Sequence, residues 1–109
     1  MKNPVNVILI EDNPEYRYAI ELSLKNDPAI TLSKQVGTAE LALRELEPSY
    51  SSHQAPDLIL LDLNLPGMSG HETIPWIKKY TPQAKIIILT QSDKDADVIK
   101  ALKLGASGY

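Results

Sequence analysis

"DLILLDLNLPGMSG", residues 57–70, decides the fold. Leu58, Ile59, Leu60 and Leu61 run without alternation, as in a strand buried on both faces of a parallel sheet. Pro66, Gly67 and Gly70 then turn the chain. Asp62 stands among leucines, with Leu60 and Leu61 before it and Leu63 and Leu65 after. Burying an unpaired carboxylate costs far more than one leucine contributes. Asp62 therefore either ends the strand at the surface or meets a cation there.

Outward from this stretch, short apolar runs alternate with helical patterns. "VNVILI" (5–10) reads as a buried strand from its brevity and β-branched content. A helix follows, with Asn13 as N-cap, Pro14 at the first helical position and Asn26-Asp27-Pro28 as its close. Its apolar stripe is Tyr16, Ile20 and Leu24, with Ala19 and Leu22. "AITLSKQV" (29–36) is a more polar strand, expected near a sheet edge. Gly37-Thr38 opens a second helix in which Leu41, Leu43 and Leu46 are apolar, and residues 49–55 read as a loop. Beyond residue 70 comes a short helix around "HETIPWIKKY", in which Pro75 is tolerable only in the first turn. "AKIIILT" (84–90) is the fourth strand; Ser92 and Asp95 suit a capping box for the last helix, and Gly105 its C′ position. Alternation at this spacing predicts one doubly wound α/β domain: a parallel sheet, right-handed crossovers, helices on both faces.

Composition narrows the function. A chain of 109 residues suits a single core, and a formal charge of −3 supplies no basic field for nucleic acid or an anionic membrane. With no cysteine there are no disulfides, thiolate metal sites or thiol nucleophiles. The first residues do not resemble a signal peptide, and no apolar run is long enough to span a bilayer, so a cytoplasmic location without membrane contact is expected.

In sheets of this kind ligands bind beyond the carboxyl ends of the strands, at the topological switch point. Strand one delivers Glu11 and Asp12 there, strand three Asp62, and strand four Thr90. If strands one and three are adjacent, three carboxylates crowd together and raise one another's pKa unless neutralised. A hard divalent cation is the remedy, and Mg²⁺ suits a site of few carboxylates plus water. Beside such an ion an aspartate can also accept a phosphoryl group, since the metal offsets the repulsion between carboxylate and phosphate.

The series "ILIEDNP … DLILLDLNLPGMSG … IIILTQSD … ALKLGASGY" resembles the receiver domain of bacterial two-component response regulators, over Val7 to Tyr109. The resemblance implies a flavodoxin-like five-stranded sheet of order 2-1-3-4-5, the order that sets strands one and three side by side. It implies that Asp62 is the phosphorylated aspartate. Glu11 and Asp12 match the acidic pair that holds Mg²⁺, and Asn64 the residue whose backbone carbonyl completes the coordination. Thr90 matches the hydroxyl residue that contacts the phosphoryl group, and Tyr109 the aromatic that rotates with it. Implied partners are a sensor histidine kinase or a phosphotransfer protein and a second copy in a homodimer. DNA is reached only through an output domain, and the receiver is a phosphoacceptor rather than an enzyme in its own right. Family members place a lysine a few residues beyond the position of Tyr109, then a fifth helix. Residues 1–109 contain neither, so they are expected to be a C-terminally incomplete receiver that bares apolar surface on the first helix and the central strands.

Taken singly, each residue has a plainer reading. A strand-end carboxylate is more often a solvated turn residue, Thr90 a strand-terminating threonine and Tyr109 a core aromatic; only their co-occurrence at successive strand ends argues otherwise. Asp57, at the opposite end of strand three, reads as structural. His53 and His71 lack partners at ligand spacing and read as surface residues, and Trp76 as a packing residue. Lys103 precedes the Gly105-Ala106 turn and cannot be the family's lysine. Three rivals remain. A nucleotide- or flavin-binding module wants a phosphate loop after strand one, where "EDNP" repels phosphate. A haloacid-dehalogenase-type phosphohydrolase wants a second aspartate where Asn64 stands. The third is a degenerate receiver that serves only as a docking surface.

Overall fold

The chain's architecture follows from a computed structural model that describes residues 4–47, 55–89 and 95–108, the side chain of Asp95 excepted. Four strands and four helices alternate: β1 (Val5–Ile10), α1 (Pro14–Lys25), β2 (Ile30–Val36), α2 (Ala39–Leu46), β3 (Leu58–Asp62), α3 (Gly70–Tyr80), β4 (Lys85–Leu89) and α4 (Asp95–Leu104). All pairings are parallel, in the order β2-β1-β3-β4. The described residues thus form a four-stranded sheet where five strands are expected; Gly108 makes a single parallel bridge to Ile87, on the flank of β4 where the fifth would lie. β2 is the sheet edge that its polar sequence predicts, and none of its residues is fully buried.

The core is asymmetric. Ile8, Ile10, Ile59, Leu61, Ile86 and Ile88 point to one face and pack with Ala39, Ala42 and Leu46 of α2, Ile74 and Ile77 of α3 and Ala101 of α4. The alternate residues Val7 and Leu9 are buried on the other face, where Leu60, Ile87 and Leu89 are only half-buried. α1 has no fully buried residue, in keeping with the bare apolar surface expected on it. Tyr16, Ile20 and Leu24 are half-buried, Ala19 is exposed and Leu22 is 48% exposed. Leu41, expected in the apolar set of α2, is likewise exposed. The face of α2 that meets the core is Ala39, Ala42 and Leu46, at 3- and 4-residue spacing.

Helix ends follow the sequence closely. The Asn13 side chain accepts from the amides of Glu15 and Tyr16, and the Thr38 hydroxyl from that of Leu41. α4 ends in a Schellman motif: the Ala106 amide donates to Ala101 and the Gly105 amide to Leu102, with Gly105 at φ +124°. Two readings need correction. Pro75 is the sixth residue of α3 rather than a first-turn residue. It is exposed, and α3 runs through it to Tyr80. His71 is not a free surface residue, because its Nε2 lies 2.8 Å from the backbone oxygen of Asp97 in α4. His53, Thr90, Ser92 and Tyr109 lie outside the described residues.

The far ends of β1 and β3 are held by Asp57. Its Oδ2 accepts from the Asn6 amide at 2.8 Å, and its own amide donates to the Asn6 carbonyl at 2.8 Å. The structural reading of Asp57 stands.

Candidate functional site: an acidic cleft at the mouth of the sheet

In the β1–β3 register Ile10 pairs with Leu61, so the next residues, Glu11 and Asp62, emerge side by side. Asp62 pairs in turn with Leu89 of β4. Both carboxylates are buried, Glu11 at 4% and Asp62 at 7% exposure, while Asp12 is exposed. One carboxylate oxygen from each of the three lies within 4.8 Å of the others. Hard-cation bonds of about 2.0–2.6 Å span such a triangle with little adjustment. The donor set, all carboxylate oxygen, fits Mg²⁺ or Ca²⁺ better than a soft metal.

Local backbone bonds fix the two buried acids. Glu11 Oε2 accepts from the Asn13 amide at 3.1 Å, and Asp62 Oδ1 from the Asn64 amide at 3.0 Å. The Glu11 carboxyl is pushed up from its ordinary 4.5 to about 7. Desolvation by burial is the main cause; the Asn13 amide pulls the other way, and the Asp62 and Asp12 carboxylates add to the rise. The repulsion expected of the cluster thus adds to a rise at Glu11 that burial dominates.

The loop after Asp62 is held from two sides. Gly70 opens α3 so close to β3 that its amide donates to the Leu63 carbonyl at 3.1 Å. Met68 donates its amide to Glu40 Oε2 of α2 at 3.2 Å, beside Gly67 at φ +72°. Ser69 and Glu72 form a capping box at the start of α3. The S-x-x-E spacing of Ser69 and Glu72 is the sequence signal that announces this box. Glu40 carries no such sequence signal, because its contact depends on where the loop comes to rest.

These elements enclose a cleft of about 180 Å³ lined by Glu11, Asp12, Asn13, Tyr16, Asp62, Asn64 and Leu89. Four expected site residues, Glu11, Asp12, Asp62 and Asn64, thus meet at one place, while Thr90 and Tyr109 fall outside the described residues. Tyr16 belongs to this cleft as well as to the stripe of α1. Helical periodicity alone gave no reason to single it out.

Comparison with known proteins agrees with this geometry. The sequence profile for "Response regulator receiver domain" matches residues 7–109. The chain is 36% identical over 108 residues to the nitrate/nitrite response regulator protein NarL of Escherichia coli K12, covering 99% of this chain and 48% of that protein. It therefore spans about half the length of that relative. Among solved structures, the signal receiver domain of the response regulator NarL from Mycobacterium tuberculosis superposes with a TM-score of 0.84 at 26% identity, over 98% of this chain and 82% of that one. A response regulator from Burkholderia pseudomallei, solved with a phosphorylated aspartic acid, a calcium ion and citrate, superposes at 0.81 with 25% identity, over 95% and 57%. Profile, sequence and fold agree with the acid cluster at the strand ends: the chain belongs to the family of response regulator receiver domains.

Proposed function

We propose that Asp62 accepts a phosphoryl group from a histidine kinase, a phosphotransfer protein or a small phosphodonor, and that the new charge changes how the domain meets its output. The observation that carries this reading is the position of Asp62: a buried carboxylate at the mouth of the sheet, within 4.8 Å of two further acids and opening on a small cleft. At about 180 Å³ the cleft is smaller than the roughly 300–1,000 Å³ that enclose drug-sized ligands, and it suits a phosphoryl group and an ion. Glu11, Asp12 and Asp62, with the backbone carbonyl of Asn64, are the residues that would hold Mg²⁺. When bound, the ion would offset the repulsion between the Asp62 carboxylate and the incoming phosphate.

In the transfer, a carboxylate oxygen of Asp62 forms a bond to phosphorus while the bond from phosphorus to the donor breaks, and the donor's leaving group keeps that electron pair. The Asn64 amide on Oδ1 holds the carboxylate in one orientation for this attack. Thr90 and Tyr109 are assigned to contacting the phosphoryl group and to switching, from their match to the family. Residues 1–109 act as the receiver unit, in the cytoplasm, and DNA is reached only through an output domain outside them. The relative solved with a phosphorylated aspartic acid supports the reading. No helix among the described residues is long and apolar enough to cross a membrane.

A receiver that only docks to a partner has no need of three acids sharing one cleft, and the acid cluster favours the phosphoacceptor. The test is Mg²⁺-dependent labelling by a small phosphodonor of the full-length protein and its Asp62→Asn variant. Label in wild type and none in the variant is expected; equal label in both would reject the assignment.

A further inference from the structure

The acidic cleft has five polar liners and two apolar ones, Tyr16 from the first turn of α1 and Leu89 from the end of β4. Leu89 faces Asp62 across the β3–β4 register. Tyr16 reaches the cleft from α1, and its backbone is fixed there because the Asn13 side chain accepts from its amide at 3.2 Å. It is half-buried, whereas Tyr18, two residues on, is 60% exposed and lines a separate groove beside β2. The two tyrosines therefore sit in one helix with different surroundings, and only the first adjoins the acids.

Volume gives that difference a consequence. A cleft of about 180 Å³ holds roughly six waters at about 30 Å³ each. A phosphoryl group on Asp62 and its counter-ion would displace most of them. What remains decides whether a water can line up opposite the Asp62–phosphorus bond. The polar liners can hold and orient such a water; an aromatic ring takes up space and offers it no partner except at the hydroxyl.

We propose that the Tyr16 ring shields the phosphorylated acceptor, lengthening the life of the aspartyl phosphate by excluding water from its side of the cleft. This rests on Asp62 being the acceptor. The step that Tyr16 slows is hydrolysis: a water oxygen bonds to phosphorus, the phosphorus–oxygen bond to Asp62 breaks with its electrons returning to the carboxylate, and the water's proton leaves with inorganic phosphate or to solvent. Tyr16 takes no part in the bond changes. It acts by bulk, so the ring matters and the hydroxyl does not.

The experiment uses the full-length protein labelled with acetyl phosphate and Mg²⁺, freed of donor, and followed for loss of label. Tyr16→Ala is expected to shorten the half-life by roughly three- to tenfold, about the effect of a modest change in barrier. Tyr16→Phe keeps the wild-type half-life, and Tyr16→Leu, which retains apolar bulk should the alanine variant unfold, falls between. Tyr18→Ala, away from the cleft, leaves the half-life unchanged. A merely structural role would lower the melting temperature of Tyr16→Leu without changing the half-life. Labelled and folded Tyr16→Ala or Tyr16→Leu with a wild-type half-life would overturn the proposal, as would a Phe variant as short-lived as Ala. Wild-type protein that takes no label at all would overturn the phosphoacceptor reading itself, and the shielding role with it.

Discussion

Gly70 stands against Asp62 so closely that a Cβ on it would lie 2.6 Å from the Asp62 carbonyl oxygen and 2.7 Å from the Leu63 Cα. The obstacle is backbone on both counts, so a side chain at residue 70 cannot be accommodated by a rotamer change. Gly70→Ala must push α3 away from the end of β3, where the acceptor is held. A loss of about 1–3 kcal/mol is expected, together with a weaker response to Mg²⁺. Chemical denaturation with and without the ion measures both. An alanine variant as stable as wild type would show that the approach is looser than this geometry.

The two aspartates of β3 separate by role. Asp57→Ala removes the carboxylate that accepts from the Asn6 amide and is expected to cost about 1–2 kcal/mol. The Mg²⁺-induced rise in melting temperature should survive it, because Asp57 lies at the far end of the sheet from the cleft. Asp12→Ala should show the opposite pattern, with little loss of stability and no Mg²⁺ response. Thermal melts of both variants in Mg²⁺ and in chelator decide the matter; a Mg²⁺ response lost in Asp57→Ala would contradict it.

The raised pKa of Glu11 predicts a pH dependence with a definite sign. The folded protein holds this proton up to about pH 7, whereas an unfolded chain releases it near 4.5. Between those values the folded state binds more protons, so the stability contributed by protonated Glu11 is full below about 4.5 and is lost as pH rises through about 7. The slope from this one group is at most about 1.4 kcal/mol per pH unit. Mg²⁺ competes with the same proton, so its stabilising effect should grow from pH 5 to pH 8. Glu11→Gln should flatten the metal-free profile over that window. A Mg²⁺ effect that shrinks as pH rises would contradict the assignment.

His71 joins the first turn of α3 to α4 through the Asp97 carbonyl. His71→Leu removes this tie at a cost of about 0.5–1.5 kcal/mol, and the loss should be local. Hydrogen exchange of the α4 amides is expected to quicken while that of β1 and β3 is unchanged. Equal protection of α4 in both proteins would show that the bond holds nothing in place.

The order of elements and the position of the acceptor strand were legible because they depend on local pattern: the run Leu58–Leu61, the caps at Asn13 and Thr38, the glycine at residue 105. The acids at the strand ends could be brought together from sequence only by supposing β1 and β3 adjacent, and the Ile10–Leu61 register supplies that adjacency. Burial on α1 is set by what covers it rather than by its stripe. An apolar stripe shows which side of a helix prefers cover, while the degree of cover depends on its neighbours; Leu22 follows the pattern and is still 48% exposed. Pro75 lies deeper in α3 than a first-turn proline because proline marks a boundary only on average, and α3 begins a full turn earlier at its Ser69–Glu72 box. The contacts of Tyr16, Glu40 and His71 join residues on different elements, and no local pattern encodes them.

Whether the phosphoryl group resides on Asp62 is settled by locating it chemically. Full-length protein labelled with a small phosphodonor and Mg²⁺ is reduced with borohydride, which converts a phosphorylated aspartate to homoserine, and is then digested and read by mass spectrometry. Homoserine at residue 62, with aspartate kept at residues 12 and 57, is the expected result. Homoserine at another position, with residue 62 still aspartate, would contradict it.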